Sequence, residues 1–204
     1  VVNAVELRDE LLEWGCTFSS TTDSEVLAQM LANAPGLDLR DRVRYMMRRA
    51  QGAYSLTVMT KDSLLAIRDP LGVRPLCIGK TEGNWIVASE TCALDHLGAE
   101  FVREVEPGEA IIINENGMTT LYKSAERNTA SCIFEYIYFA RPDSNLNGKL
   151  VYSVRQAMGA QLAREHHIDA DLVIPVPDSS NAAAVGYSQE SGIPYSEGLL
   201  KNRY

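Results

Sequence analysis

Three places in this 204-residue chain carry side chains able to do chemistry. The first is Pro177-Asp178-Ser179-Ser180, where a carboxylate and two hydroxyls follow the apolar run Asp171 to Val176 and precede a helical stretch, Asn181 to Glu190. A hydroxyl-bearing loop at a helix N-terminus suits an anion, because the first N–H groups of a helix lack intrahelical partners. Serine and asparagine also cap helices without any ligand, so this signal does not choose by itself. Lys201 and Arg203 follow the next apolar stretch, Ile193 to Leu200, and read equally as a solvated basic pair. The second place is Asp23 in Thr22-Asp23-Ser24-Glu25, a carboxylate at a helix start, where capping is the plain alternative to binding. The third is the set Cys16, Cys77, Cys92 and Cys132, spaced too widely and irregularly for a disulfide framework or a Cys-x-x-Cys metal knuckle. Composition favours buried thiols for all four. Arg68, Asp69 and Arg74 also invite a catalytic reading, but charges flanking a Pro-Gly turn are expected to be structural.

Two kinds of element must position these groups. Up to about Arg127 the pattern is helical first: Ala4, Leu7, Leu11 and Trp14 share one face, with Asn3 as cap and Gly15 as stop. A second helix carries Val26, Leu27, Met30 and Leu31, and a third runs from about Leu39 to Ala50. Short strands follow over Tyr54 to Thr60, Leu64 to Arg68, Pro75 to Ile78, Trp85 to Ala88, Ala110 to Ile113 and Met118 to Tyr122, separated by turn-forming residues. Helices followed by a mainly antiparallel meander predict layered α+β architecture.

After the polar stretch Lys123 to Thr129 the period changes. The aromatic-rich segment Ile133 to Phe139 ends in the turn Arg141 to Ser144. A helix from about Leu150 to His166 carries Val154, Met158 and Leu162, with a small face of Ala157, Gly159, Ala160 and Ala163. The run Asp171 to Val176 predicts a strand buried on both faces of a parallel sheet, and the helix after it makes a βαβ unit. A ligand is expected at the carboxyl ends of such strands, where Asp178 lies. The domain boundary therefore falls at 1–127 and 128–204, α+β followed by α/β.

A net charge of −8 and a pI near 4.9 argue against a broad electrostatic grip on nucleic acid. No apolar run approaches the roughly 18 residues of a membrane span, and no charged-then-apolar leader opens the chain, which makes a cytoplasmic setting and small-molecule partners the default expectation. The chain opens on Val1, two residues before a helix start, and reads as a piece cut from a longer protein.

The segments Arg68 to Leu76, Ala88-Ser89-Glu90-Thr91 and Glu106-Pro107-Gly108-Glu109, in that order, resemble the glutaminase domain of class II glutamine amidotransferases. The resemblance implies an N-terminal-nucleophile hydrolase fold, two stacked sheets between helical layers (αββα), present here in part. It implies a terminal Cys nucleophile and an Asn-Gly oxyanion pair, neither of which this chain carries, so no catalytic residue is assigned and the 204-residue piece alone is expected to be inactive. It also implies that Asp23 binds the α-ammonium of glutamine.

In the second half, Cys132 to Ser144, Val176 to Ser180 and Gly198 to Tyr204 resemble the amidophosphoribosyltransferase family, whose second domain is a type I phosphoribosyltransferase with a parallel sheet, again present in part. The resemblance implies that ammonia from glutamine displaces pyrophosphate from phosphoribosylpyrophosphate, giving 5-phosphoribosylamine in the first step of de novo purine biosynthesis. By the same resemblance Asp178, Ser180, Lys201 and Arg203 contact phosphoribosylpyrophosphate, Ser179 contacts Mg²⁺, and Cys132 is either the first ligand of a [4Fe–4S] cluster or a thiol without one. Purine nucleotides as feedback inhibitors and a homo-oligomeric full-length form are implied too. A non-catalytic binding or regulatory homologue, or another class II amidotransferase, is the alternative.

Overall fold

The computed structural model describes residues 1–36, 38–125 and 128–202. They form two compact units, one of Val1–Ser89 and Val102–Ser131, the other of Glu90–Phe101 and Cys132–Tyr204.

In the first unit three helices precede the strands: α1 (Ala4–Glu13), α2 (Asp23–Asn33) and α3 (Leu39–Arg49). Leu7 and Leu11 of α1, Val26, Leu27, Met30 and Leu31 of α2, and Val43, Met46 and Met47 of α3 are the buried positions, recurring at the helical three-and-four spacing. They pack with Tyr54, Leu65, Ile67 and Ala110 in one core over a four-stranded antiparallel sheet. Its strands are β1 (Ser55–Met59), β2 (Leu64–Arg68), β6 (Glu109–Asn114) and β7 (Gly117–Lys123), in spatial order β1-β2-β6-β7. Because side chains alternate along a strand, β2 and β6 send Ala66, Ile111 and Ile113 to the opposite face, into a second core with Leu76, Ile78 and Val105. A second sheet, in order β4-β3-β5, is built from β3 (Cys77–Lys80), β4 (Trp85–Ala88) and β5 (Glu100–Glu104). The described residues thus give this unit one helical layer and two sheets.

Two local expectations give way here. Asn3 makes no cap bond to α1. Its side chain instead donates to the Arg49 carbonyl and accepts from Gln51 N–H, both at 3.0 Å, tying the start of α1 to the end of α3. Strand β5 was not expected, because Glu100-Phe101-Val102-Arg103-Glu104 has neither clean alternation nor an apolar run, and its first three residues remain exposed.

The second unit contains α4 (Thr91–His96), a π-helical turn (Glu135–Phe139), a hairpin of β8 (Asn145–Leu146) and β9 (Lys149–Leu150), and the helices α5 (Val151–Glu165) and α6 (Asn181–Ser191). The expected apolar stripe of α5 is not its buried face: Val151, Arg155, Gly159 and Ala163 are buried, while Leu162 keeps 50% of its surface exposed. The reason is backbone proximity. A Cβ on Gly159 would lie 1.8 Å from the Ala183 carbonyl oxygen, and one on Gly186 would lie 2.0 Å from that of Gln156, so α5 and α6 meet through glycines and the small face wins.

The run Asp171 to Val176 also departs from expectation. It makes one parallel bridge, Val173 with Tyr195, supported by hydrogen bonds of 2.8 and 3.0 Å, and the chain passes through α6 between the two. That is a minimal βαβ crossover, but Leu172, Ile174 and Val176 stay exposed. The described residues supply pairing on one side only and no layer above these side chains, so the apolar run is not a doubly buried strand here.

Candidate functional site

Asp23 is presented at the first residue of α2 by a polar loop that one carboxylate organises. Glu25 reaches back and accepts from the backbone N–H groups of Ser19 and Ser20, each at 2.7 Å, and from both serine hydroxyls. These donors hold its carboxyl down at about 2. Thr22 is the N-cap, its Oγ1 accepting from Glu25 N–H at 3.4 Å, so the capping role falls to Thr22 and Asp23 is left for another partner. That partner is the amino group of Val1, 2.7 Å from Oδ2. This bond, followed by N–H donors at the helix start, lowers the Asp23 carboxyl below its ordinary value. The side chain remains 46% exposed. The arrangement shows an α2 carboxylate that is ionised, accessible and geometrically able to hold an ammonium.

The Pro177–Ser180 turn is the second station. Asp178, Asn181, Glu197 and Lys201 line a cavity of about 190 Å³ with Pro175 and Pro177. Lys201 Nζ lies 3.8 Å from Asp178 Oδ2, so these two predicted residues come together, both half-exposed. Ser180 turns the other way and donates its hydroxyl to the Val176 carbonyl. Ser179 is exposed, and Arg203 lies outside the described residues. Two carboxylates and one ammonium on a small wall beside a helix N-terminus can receive an anion that carries its own divalent cation more readily than a bare one.

Cys132 is partly buried, and its carbonyl accepts from Glu135 N–H at 3.1 Å as the π-helical turn begins. Among the described residues no three His, Cys, Asp or Glu side chains stand close enough to share a metal ion. One thiol cannot hold a four-thiolate cluster, so the residues present do not fit a [4Fe–4S] centre.

The charged turn residues are taken up by backbone. Arg68 donates to the carbonyls of Arg74, Val105 and Gly72 at 2.8–3.0 Å. Asp69, fully buried, accepts from the N–H groups of Leu71, Gly72 and Val73 at 2.9–3.2 Å and from Tyr54 at 3.4 Å. Burial pushes its carboxyl up and those four donors oppose the shift. Gly72, at φ +65°, packs against Pro107 so closely that a Cβ would meet it at 2.6 Å. Glu109, also buried, takes both guanidinium nitrogens of Arg103 at 2.7 and 2.9 Å and the Thr120 hydroxyl at 2.7 Å.

Sequence reasoning missed Glu90 and Arg155. Glu90 accepts from Arg141 N–H and from the Ser144 hydroxyl, both at 2.8 Å, and Thr91 Oγ1 accepts from Asn145 N–H at the same distance. Arg155, 4% exposed, donates to the Tyr136 and Ala140 carbonyls at 2.6 and 2.8 Å. A signal for Arg155 was available: an arginine four residues before Gly159 shares its helix face.

With this geometry in place, comparison with known proteins is informative at each station. A glutamine amidotransferase domain model matches residues 1–96. The amidophosphoribosyltransferase of Methanocaldococcus jannaschii is 47% identical and covers 100% of this chain, which spans 47% of that protein. The Bacillus subtilis amidophosphoribosyltransferase is 45% identical over 100% of the chain and 43% of its own length. Along its whole length the chain is homologous to amidophosphoribosyltransferases. The solved structure of the B. subtilis glutamine phosphoribosylpyrophosphate amidotransferase, complexed with ADP and GMP, superposes with a TM-score of 0.96 at 45% identity, covering 100% of this chain and 45% of that one. That agreement fixes the α+β fold described above as that of these enzymes. The chain spans less than half the length of the relatives it matches.

Proposed function

We propose that the protein containing this chain is an amidophosphoribosyltransferase: it hydrolyses glutamine and passes the ammonia to phosphoribosylpyrophosphate, yielding 5-phosphoribosylamine, glutamate and pyrophosphate. The observation that carries the proposal is that 44–47% identity runs unbroken across both compact units, so the resemblance is not confined to a shared glutaminase module. Relatives at that identity bear an enzyme's name, which favours the enzyme over a non-catalytic homologue.

In this reading residues 1–127 belong to the glutaminase domain and 128–204 to the start of a phosphoribosyltransferase domain. Asp23 takes the α-ammonium of glutamine in the place the Val1 amino group occupies in the structure. Asp178 and Lys201 face the pyrophosphate end of the second substrate, with Ser180 and Arg203 as further contacts. Mg²⁺, when bound, screens the pyrophosphate charge, and a metal held mainly by substrate oxygens needs only one or two protein oxygens, such as the Ser179 hydroxyl. Purine nucleotides fit as feedback inhibitors because the B. subtilis relative was solved with ADP and GMP. No helix among the described residues is long and apolar enough to cross a membrane, in keeping with a cytoplasmic enzyme. A homo-oligomeric full-length form completes the proposal.

The test is to supply the full-length protein with glutamine, phosphoribosylpyrophosphate and Mg²⁺. Equal release of glutamate and pyrophosphate is expected. Glutamate release without pyrophosphate release would reduce the protein to another class II amidotransferase.

A further inference from the structure

Arg155 occupies a position that core packing alone does not explain. It lies on the inner face of α5, where its neighbours on the same face are Val151, Gly159 and Ala163, and burial opposes its charge. A buried guanidinium is retained at a cost unless its donors are used. Here they are directed at one target: the carbonyls of Tyr136 and Ala140 at 2.6 and 2.8 Å, with the Glu135 carbonyl at 3.5 Å. These are carbonyls of the π-helical turn and of the residue that ends it.

The carboxylate acting on Arg155 is Glu90, which itself fastens Arg141 N–H and the Ser144 hydroxyl. Glu90 and Cys132 are the residues at which the chain enters the second unit. Arg155 therefore braces, inside that unit, both entering segments. Four residues further along α5, Gly159 holds the helix in backbone contact with α6, whose N-terminus follows Asp178. The turn's outer side presents Phe134, Ile137 and Tyr138, each more than 40% exposed, so what the brace fixes is an open apolar and aromatic surface.

We infer that Arg155 is a positioning residue for nitrogen transfer: it holds the π-helical turn in register with α5 and the Asp178 loop, so that ammonia arriving from the glutaminase half meets the second substrate. The inference rests on the amidophosphoribosyltransferase reading. Free ammonia from solution does not need that register, whereas ammonia generated from glutamine does.

The experiment uses the full-length protein with Arg155→Met and Arg155→Lys, and compares phosphoribosylamine formation supported by glutamine with that supported by ammonium chloride. Arg155→Met is expected to lower the glutamine-supported rate by about tenfold or more while the ammonia-supported rate and glutamate release stay within about twofold. Arg155→Lys, which keeps a donor and the charge but not the fork, is expected to recover part of the ratio. Parallel loss of both rates, or an unchanged ratio, overturns the inference. Should Arg155→Met fail to fold, the same ratio measured in Arg155→Lys decides, with an unchanged ratio again overturning it. Failure of the wild-type protein to form phosphoribosylamine from either nitrogen source would instead overturn the functional reading.

Discussion

The two compact units satisfy their polar groups to very different depths. In the first, charged side chains lie under two sheets and are consumed by nearby backbone: Asp69 by four N–H groups, Arg68 by three carbonyls, Glu109 by Arg103 and Thr120. In the second, Leu172, Ile174, Val176 and Leu162 remain exposed, and one parallel bridge stands where a sheet was expected. The difference teaches where each unit keeps its stability. The first holds its sheets by local turns and two-faced burial, the second by one tight helix pair and one arginine.

The sharpest way to break that contrast is at the helix pair. Gly186→Ala places a methyl 2.0 Å from the Gln156 carbonyl oxygen, and the rigid target is backbone. It should destabilise the second unit by about 3 kcal/mol, within the overpacking range, seen as a lower urea midpoint for signals from α5 and α6 with first-unit signals unmoved. Next in size is Asp69→Ala, which orphans buried N–H donors of the Asp69 to Val73 turn and should cost the first unit about 2 kcal/mol, measured the same way. Equal shifts of both units in either variant would deny that they are held separately.

A smaller effect is carried by Glu109. Its burial opposes ionisation, but the bonds from Arg103, Glu106 N–H and Thr120 outweigh this and leave its carboxyl below the ordinary value. Stability from this group is present above the unfolded glutamate value, near 4.3, and is lost as pH falls through the lower folded value. Glu109→Gln should therefore flatten the decline in urea midpoint between neutral pH and pH 3. An unchanged slope would assign the decline to other carboxylates. Least of all should Leu162→Ala matter, within about 0.5 kcal/mol, since half of that side chain is already in water. A larger loss by thermal or urea unfolding would show the exposed face to be covered.

Helix faces and turns in the first unit were legible because their determinants are local: Val26, Leu27, Met30 and Leu31 declare a face, and Gly72 with Asp69 declares a turn. What could not be read depends on residues far apart in sequence. The Asn3 to Arg49 tie, the Glu90 to Ser144 bond and the burial of α5 by its glycines rather than its leucine are each decided by a neighbour tens of residues away. The site shows the same division. Asp178 and Lys201 were expected near one ligand and do meet, whereas Ser180 turns to Val176 because a hydroxyl at the end of a turn has a carbonyl within reach.

The central claim, that this chain contributes the glutamine-binding carboxylate and part of the acceptor site of one amidotransferase, is tested most directly by Asp23→Asn in the full-length protein. Losing a charge-assisted bond worth ~1.5–3 kcal/mol should raise the KM for glutamine by about tenfold to a hundredfold, with ammonia-supported phosphoribosylamine formation unchanged. An unchanged KM for glutamine, or an equal fall in the ammonia-supported rate, would contradict it.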